Sequence, residues 1–302
     1  MRIVSVLPSA TEIVASLGHG SELVGRSAEC DFPPEVRELP VVMRPRTLDA
    51  ERPSADIDAR VRAARGRGES LYSLDVPLIA RLEPDLILTQ DLCGVCSVTD
   101  AEVREACARA GVTPDIVSLA PRTLTEVWTS IETAGVAVGD PAAGVALADR
   151  LRRRAAPAVG PEARPRVLVV EWLAPPIFAG LWVPEMIEAS GGTPIGPREG
   201  DPGERGTWEG VARLQPDLVL LAPCSFPVDR TERELRAPSL REAVGRLAPP
   251  QGIYLADEAY FSRPGPRLAD GVDLLRNLLS GRPWASPMPV VSLPTVHREA
   301  AA

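Results

Sequence analysis

Ala80-Arg-Leu-Glu-Pro-Asp-Leu-Ile-Leu88 returns later in the chain as Ala212-Arg-Leu-Gln-Pro-Asp-Leu-Val-Leu220, with seven of nine positions identical. Each copy reads as the end of a helix, a Pro-Asp turn and an apolar run of strand length, which is the αβ half of a parallel-sheet unit. One such unit in each half predicts an α/β protein of two similar Rossmann-like lobes. Both copies run on into a cysteine-bearing loop, Thr89-Gln-Asp-Leu-Cys-Gly-Val-Cys96 in the first and Ala222-Pro-Cys-Ser-Phe226 in the second. Open parallel sheets bind ligands beyond the carboxyl ends of their strands. The repeat therefore predicts a site between the lobes, with thiols in it.

Composition narrows the chemistry. A chain of 302 residues that is 45% hydrophobic can bury two medium cores. Net charge is −8, with no long basic run, which argues against a nucleic-acid partner. All 33 basic residues are arginine, so Schiff-base lysine chemistry and a phosphate-loop lysine are excluded. The two histidines fall at His19, in a turn, and His297, in a Pro-rich tail, where neither serves a Ser-His-Asp hydrolase or an imidazole-rich zinc site. The chain opens Met1-Arg-Ile-Val-Ser-Val-Leu-Pro8 and enters a strand at once, without the apolar core and cleavage site of a secretion signal. As written, the sequence predicts a cytoplasmic protein, and a monomer. Five cysteines, an odd number, do not make a secreted disulfide framework.

Residues 2–7 read as a first strand, and Ser9-Ala-Thr-Glu12 has the spacing of a capping box opening a helix that Gly18 closes. Residues 44–67 are rich in Arg, Asp and Pro and read as an excursion with a short helix near 57–64. Two helical stretches, 124–138 and 141–155, form a linker in which a long helix is expected to act as a stiff strut; Asp140 before Pro141 is a helix start. The predicted organisation is an N-terminal α/β lobe at 1–122, a helical linker at 123–160, a C-terminal α/β lobe at 161–281 and a loosely packed Pro-rich tail at 282–302.

Most of the twelve aromatic residues are absent from the predicted core strands. Phe32, Trp172, Phe178, Trp182, Trp208, Phe226, Tyr260 and Phe261 are assigned to loops, mostly after strands. Rings gathered there either line a cleft for a large planar ligand or plug the lobe interface. Cys93-Gly-Val-Cys96 is half of a four-thiolate metal site. Cys30 and Cys224 follow other strands on the same side, so four thiols could converge; the alternatives are an incidental pair or a redox dithiol. Cys107 reads as a buried small hydrophobe. Glu171 is either a ligand group or an exposed strand-end residue. Arg263 pairs either with an anionic group on a ligand or with an acid across the cleft. Ser9 caps its helix, whose free N–H groups could also hold an anion.

With these segments in view, the chain from residue 2 to about 279 resembles the class III substrate-binding proteins of ABC importers for cobalamin and iron siderophores. The resemblance rests on Ile3-Val-Ser-Val-Leu-Pro-Ser-Ala-Thr-Glu12, both Pro-Asp-Leu strands and the closing Phe261-Ser-Arg-Pro-Gly-Pro-Arg267. Cys30-Asp-Phe-Pro-Pro34, Glu171-Trp-Leu-Ala-Pro-Pro176, Trp182-Val-Pro-Glu185 and Thr89 to Cys96 resemble its cobalamin-binding subgroup. It implies two lobes joined by one long helix, and non-catalytic binding of a corrinoid or related metal chelate in the cleft. The implied partner is an importer permease and the implied setting periplasmic.

The ligand-binding candidates are Ser9, Asp31, Phe32, Gln90, Asp91, Glu171, Trp172, Trp182, Phe226, Tyr260, Phe261 and Arg263. The macrocycle is expected between Trp172, Trp182, Phe226 and Phe261. The rival expectation is a cytoplasmic enzyme or metal handler that reuses the fold, with Cys30, Cys93, Cys96 and Cys224 as thiolate ligands or nucleophiles. A ligand-sensing module without transport or chemistry is a third.

Overall fold

The computed structural model describes residues 1–46, 51–90, 98–157, 164–282 and 289–293. The first lobe runs β1 (Ile3–Ser5), α1 (Pro8–Ser16), β2 (Leu23–Ser27), β3 (Val41–Pro45), α2 (Ser54–Gly66), β4 (Tyr72–Leu74), α3 (Val76–Leu82), β5 (Leu86–Thr89), α4 (Asp100–Ala110) and β6 (Asp115–Ser118). Its sheet has the order β4-β3-β2-β1-β5-β6, parallel except where β4 pairs with β3. Ile3, Val4, Leu86, Ile87 and Leu88 are buried, as strands covered on both faces require.

A linker of α5 (Leu124–Ala137) and α6 (Pro141–Arg154) leads to the second lobe: β7 (Arg166–Leu173), β8 (Pro176–Phe178), α7 (Val183–Ala189), β9 (Thr193–Pro194), β10 (Glu204–Arg205), α8 (Trp208–Leu214), β11 (Leu218–Leu221), α9 (Val228–Glu234), α10 (Pro238–Gly245), β12 (Ile253–Ala256), α11 (Leu268–Leu279) and β13 (Val290–Leu293). Its sheet runs β10-β8-β7-β11-β12-β13, with the short β9 also on β7. The parallel strands β9, β7, β11 and β12 repeat the order of β2, β1, β5 and β6.

The repeated phrase builds the same corner twice. α3 ends at Glu83 and α8 at Gln215, both in left-handed backbone (φ 42° and 49°), and each leads through Pro-Asp into β5 or β11. Asp85 accepts the backbone N–H of Arg2, and Asp217 that of Arg166, each at 2.7 Å. The side chains of Arg2 and Arg166 then donate to the last helical carbonyls, Leu82 and Leu214. An aspartate and an arginine thus tie the start of each lobe's leading strand to the helix before the next one.

The linker departs from the expected single strut. α5 and α6 are 14 residues each, about 21 Å, and fold back on each other through Gly139 and Asp140 as an antiparallel helical hairpin. The cause is a pair of glycines: a Cβ on Gly135 would lie 2.7 Å from the Gly144 Cα, so the helices touch backbone to backbone. Asp140 caps α6 as read from the sequence. At the hairpin base the Leu124 N–H donates to Glu185 of α7, and Arg154 pairs with Asp270 and Asp273 of α11. At its tip His19 of the first lobe lies 3.8 Å from Asp140. The hairpin, rather than one helix, spans the two lobes.

Three further expectations are corrected. Ser9 caps nothing: α1 begins at Pro8, its N-cap residue Leu7 makes no side-chain bond, and Ser9 lies buried inside the helix. The segment read as a loose tail supplies β13, which pairs antiparallel with β12 from Ile253 to Ala256. The 44–67 excursion contains the end of β3 and the helix α2, longer than read; β4 follows it as an antiparallel edge too short to show alternation.

Candidate functional site

The carboxyl ends of β1, β2, β7, β11 and β12 feed the segments that meet across the lobes, and two polar clusters make the crossing. The first centres on Arg263, in the loop after β12. Its Nε and one terminal nitrogen contact Glu258 Oε1 at 2.9 and 2.7 Å. From the other lobe, Glu12 of α1 lies 3.2 Å from Arg263, and Asp31, in the loop after β2, takes the guanidinium end-on at 2.5 and 3.3 Å. Four residues on, Arg267 grips both carboxylate oxygens of Glu12. Its guanidinium sits 4.6 Å from the Phe32 ring centre and 5.3 Å from that of Tyr260, within cation–π range.

These groups differ sharply in exposure. The Glu12 and Glu258 side chains are 2% and 7% exposed and that of Arg263 12%, whereas Asp31 is 43% exposed. Burial pushes the Glu258 carboxyl up to about 7 despite Arg263. Burial also raises Glu29, which accepts a hydrogen bond from Tyr72. At Asp31 burial acts in the same direction, but Arg263, Arg267 and Arg37 outweigh it and hold the carboxyl below its ordinary range. Burial disfavours charge on Arg263 too, yet Glu258, Asp31 and Glu12 keep it protonated. The Asp31 loop is itself braced: Arg26 donates to the carbonyls of Ser27, Ala28, Cys30 and Arg37, and Arg37 to that of Asp31.

In the second cluster α2 reaches over to the other lobe. Glu234 of α9 accepts from both the backbone N–H and hydroxyl of Ser54, at 2.8 and 2.7 Å, so a carboxylate from one lobe caps a helix of the other. Arg230 pairs with Glu234, donates to the Arg52 carbonyl and lies 4.3 Å from the Phe226 ring centre. Trp172 stacks on Phe226 at 5.2 Å, tilted by 51°, and its indole N–H donates to the Ser54 carbonyl. Arg205 and Arg62 close on the buried Asp58.

The structure divides the residues expected from the sequence. Asp31, Phe32, Tyr260 and Arg263 come together across the lobes, and Ser9 lies close by, since a Cβ on Gly265 would sit 3.5 Å from the Ser9 carbonyl oxygen. Trp182, Phe226 and Phe261 are 4%, 1% and 2% exposed, and the Trp182 indole donates to the Phe261 carbonyl at 2.7 Å. All three rings are buried in this structure. Trp172 lies on β7, not in a loop, and is half-buried. Phe178 lies on β8 and Trp208 opens α8; both are buried. Gln90 is buried at the end of β5 and Glu171 is half-buried on β7. Asp91, Cys93 and Cys96 lie outside the described residues.

Of the remaining thiols, Cys30 is buried, accepts from the Thr11 hydroxyl at 3.1 Å, and burial lifts it to about 11, so it is a poor thiolate. Cys107 is buried on α4 and Cys224 half-buried. Among the described residues no group of three or more His, Cys, Asp or Glu side chains is arranged to hold a metal ion. No helix among them is long and apolar enough to cross a membrane.

The sequence reading missed Glu12 and Arg267 as cross-lobe partners, along with the Ser54, Arg230 and Glu234 set. Glu12 fitted a capping box, which hid it. Arg267 was available as the second arginine of Arg263-Pro-Gly-Pro-Arg267, a rigid loop that presents two guanidinium groups in one direction.

Two lobes of parallel sheet, bridged by helices and meeting at their strand ends, are the fold of the class III periplasmic binding proteins. A periplasmic heme-binding protein from Pseudomonas aeruginosa superposes with a TM-score of 0.70 at 20% identity, over 97% of this chain and 98% of that one. The periplasmic heme-binding protein RhuT from Roseiflexus sp. RS-1 gives 0.63 at 21%, over 93% and 98%. The periplasmic vitamin B12 binding protein BtuF of Vibrio cholerae gives 0.59 at 21%, over 92% and 96%. No protein-family model matches the chain, and no curated protein matches its sequence.

Proposed function

We propose that this protein is a non-catalytic binder of a planar metal chelate, a heme or a corrinoid, held where the two lobes meet, and that it serves as the substrate-binding component of an ABC importer. The observation that carries the reading is the convergence of strand-end loops from both lobes on Arg263 and Arg267, with the Phe32 and Tyr260 rings beside them. Rings offer broad contact to a macrocycle, and paired guanidinium groups suit the acidic or carbonyl groups at its edge. The likeness to heme- and B12-binding proteins supports the same class of ligand. Those neighbours are named as periplasmic, which favours an extracytoplasmic setting over the cytoplasmic one expected from the opening residues.

The binding role asks for no nucleophile, and the buried Cys30 thiol argues against its place in a thiolate site. Equilibrium titration with hemin and with hydroxocobalamin, followed by tryptophan quenching and by the visible bands of each chelate, tests the proposal. Saturable binding of either at one equivalent supports it. Absence of binding by both refutes it.

A further inference from the structure

Asp31 and Phe32 lie side by side in the loop after β2 and meet two arginines of the other lobe in two different ways. The Asp31 carboxylate takes the end-on fork of Arg263, two oxygens on two nitrogens, while the Phe32 ring lies against the guanidinium of Arg267. Together they present an aromatic face and an anionic edge to paired guanidinium groups. Both are also the exposed members of the cluster, at 43% each. Glu12 and Glu258 hold the other edges of Arg263 from inside and are buried. Taking Asp31 off the fork therefore frees the bidentate edge of Arg263 and removes its exposed anionic partner, while Glu12 and Glu258 remain in contact with it.

Resting on the functional reading above, we propose that the Asp31-Phe32 pair is a built-in stand-in for the ligand, and that it selects for a planar ligand carrying a free carboxylate at its rim. Such a ligand replaces the Asp31 carboxylate on the Arg263 fork with one of its own and lays its ring edge where Phe32 meets Arg267. A neutral rim, amide or ester, cannot repay the loss of the Asp31 contact, because a buried guanidinium deprived of an anionic partner keeps its desolvation cost. The exchange needs only a side-chain rotation. Arg26 and Arg37 hold the loop backbone in place, and rotamer changes at exposed side chains are fast. Asp31 acts as an internal competitor, so apparent affinity is lowered by the fraction of time that it occupies the fork.

The test compares hemin with hemin dimethyl ester, and cyanocobalamin with its monocarboxylic acid derivatives, on wild type, Asp31→Asn and Phe32→Ala. Asp31 is exposed, so the Asn variant is expected to fold, and the acid-to-ester comparison on wild type needs no variant at all. Wild type should bind the acid form of at least one pair about tenfold more tightly than its neutral form. Asp31→Asn should tighten the acid form further by about tenfold, with the largest gain at low ionic strength, where the competing carboxylate is screened least. Phe32→Ala should shift acid and neutral forms by the same factor. Equal binding of acid and neutral forms, with Asp31→Asn unresponsive, overturns the inference and leaves the binding function standing. Failure of all four probes to bind overturns both.

Discussion

Arg267 of the second lobe holds both carboxylate oxygens of Glu12, a residue of the first lobe that is 2% exposed. A charge that deep is tolerated only because two guanidinium groups, Arg267 and Arg263, reach it from across the boundary. The lobes are therefore joined by buried ionic contacts as well as by the helical hairpin.

Removing that carboxylate tests the contact. Glu12→Ala leaves two largely buried guanidinium groups short of a partner, and breaking a buried pair costs about 3 kcal/mol or more. The urea midpoint should fall accordingly. A midpoint within experimental error of wild type would mean that the lobes do not depend on this pair.

The hairpin makes a sharper prediction. Alanine favours helix over glycine by roughly 1 kcal/mol, so Gly135→Ala would stabilise an isolated α5. In the folded protein the new Cβ would lie 2.7 Å from the Gly144 Cα and 3.0 Å from the Asp140 carbonyl oxygen, both backbone atoms. Overpacking of this kind costs about 1–3 kcal/mol, so net destabilisation is expected. A thermal scan showing a stabilised variant would contradict the close helix contact.

Glu258 sets a pH dependence. Its carboxyl is raised from 4.5 to about 7 in the folded protein, so between those values the folded state holds a proton that the unfolded chain has lost. Its contribution is complete below the unfolded value and is lost as pH rises through 7. Asp31, held low, titrates in the opposite sense, with stability lost as pH falls through its depressed value. Denaturant unfolding at a series of pH values should therefore show stability declining by roughly 1–3 kcal/mol from pH 5 to 8, and Glu258→Gln should flatten that decline. An unchanged slope in the variant would locate the titration elsewhere.

The duplicated corner predicts equivalence. Asp85→Ala and Asp217→Ala each remove the acceptor of a strand-start N–H and should each cost about 1 kcal/mol. A large cost at one site with none at the other would show that the repeat has diverged in its energetics.

Much of this architecture is legible in the chain because it is encoded locally. The nine-residue phrase fixes a helix end, a left-handed residue, a turn and a strand in each half, and the Asp140-Pro141 start of α6 is likewise a local signal. What escaped the sequence depends on partners far along the chain. Glu12 has the spacing of a capping residue, and only the approach of the Arg263 to Arg267 loop gives it another role. The hairpin follows from Gly135 meeting Gly144, a contact that helical periodicity does not reveal. β13 needs the edge of β12 before its short apolar run becomes a strand. For the proposed site, aromatic composition does not tell which rings are accessible. Trp182, Phe226 and Phe261 read the same as Phe32 and Tyr260 in sequence, and burial alone separates them.

A related expectation concerns motion. Buried ion pairs and a two-helix bridge oppose wide opening of the lobes, so the radius of gyration measured by solution scattering should change little when chelate is added. A large compaction would show that the interlobe contacts are broken in the free protein.

The most direct test is thermal unfolding of the purified protein with and without hemin or hydroxocobalamin, at about 100 times the dissociation constant found by titration. A ligand held between the lobes should add about 2.7 kcal/mol and raise the midpoint of the whole protein in a single transition. An unshifted midpoint with both chelates would contradict chelate binding, and a shift confined to one of two separate transitions would contradict a site shared by the lobes.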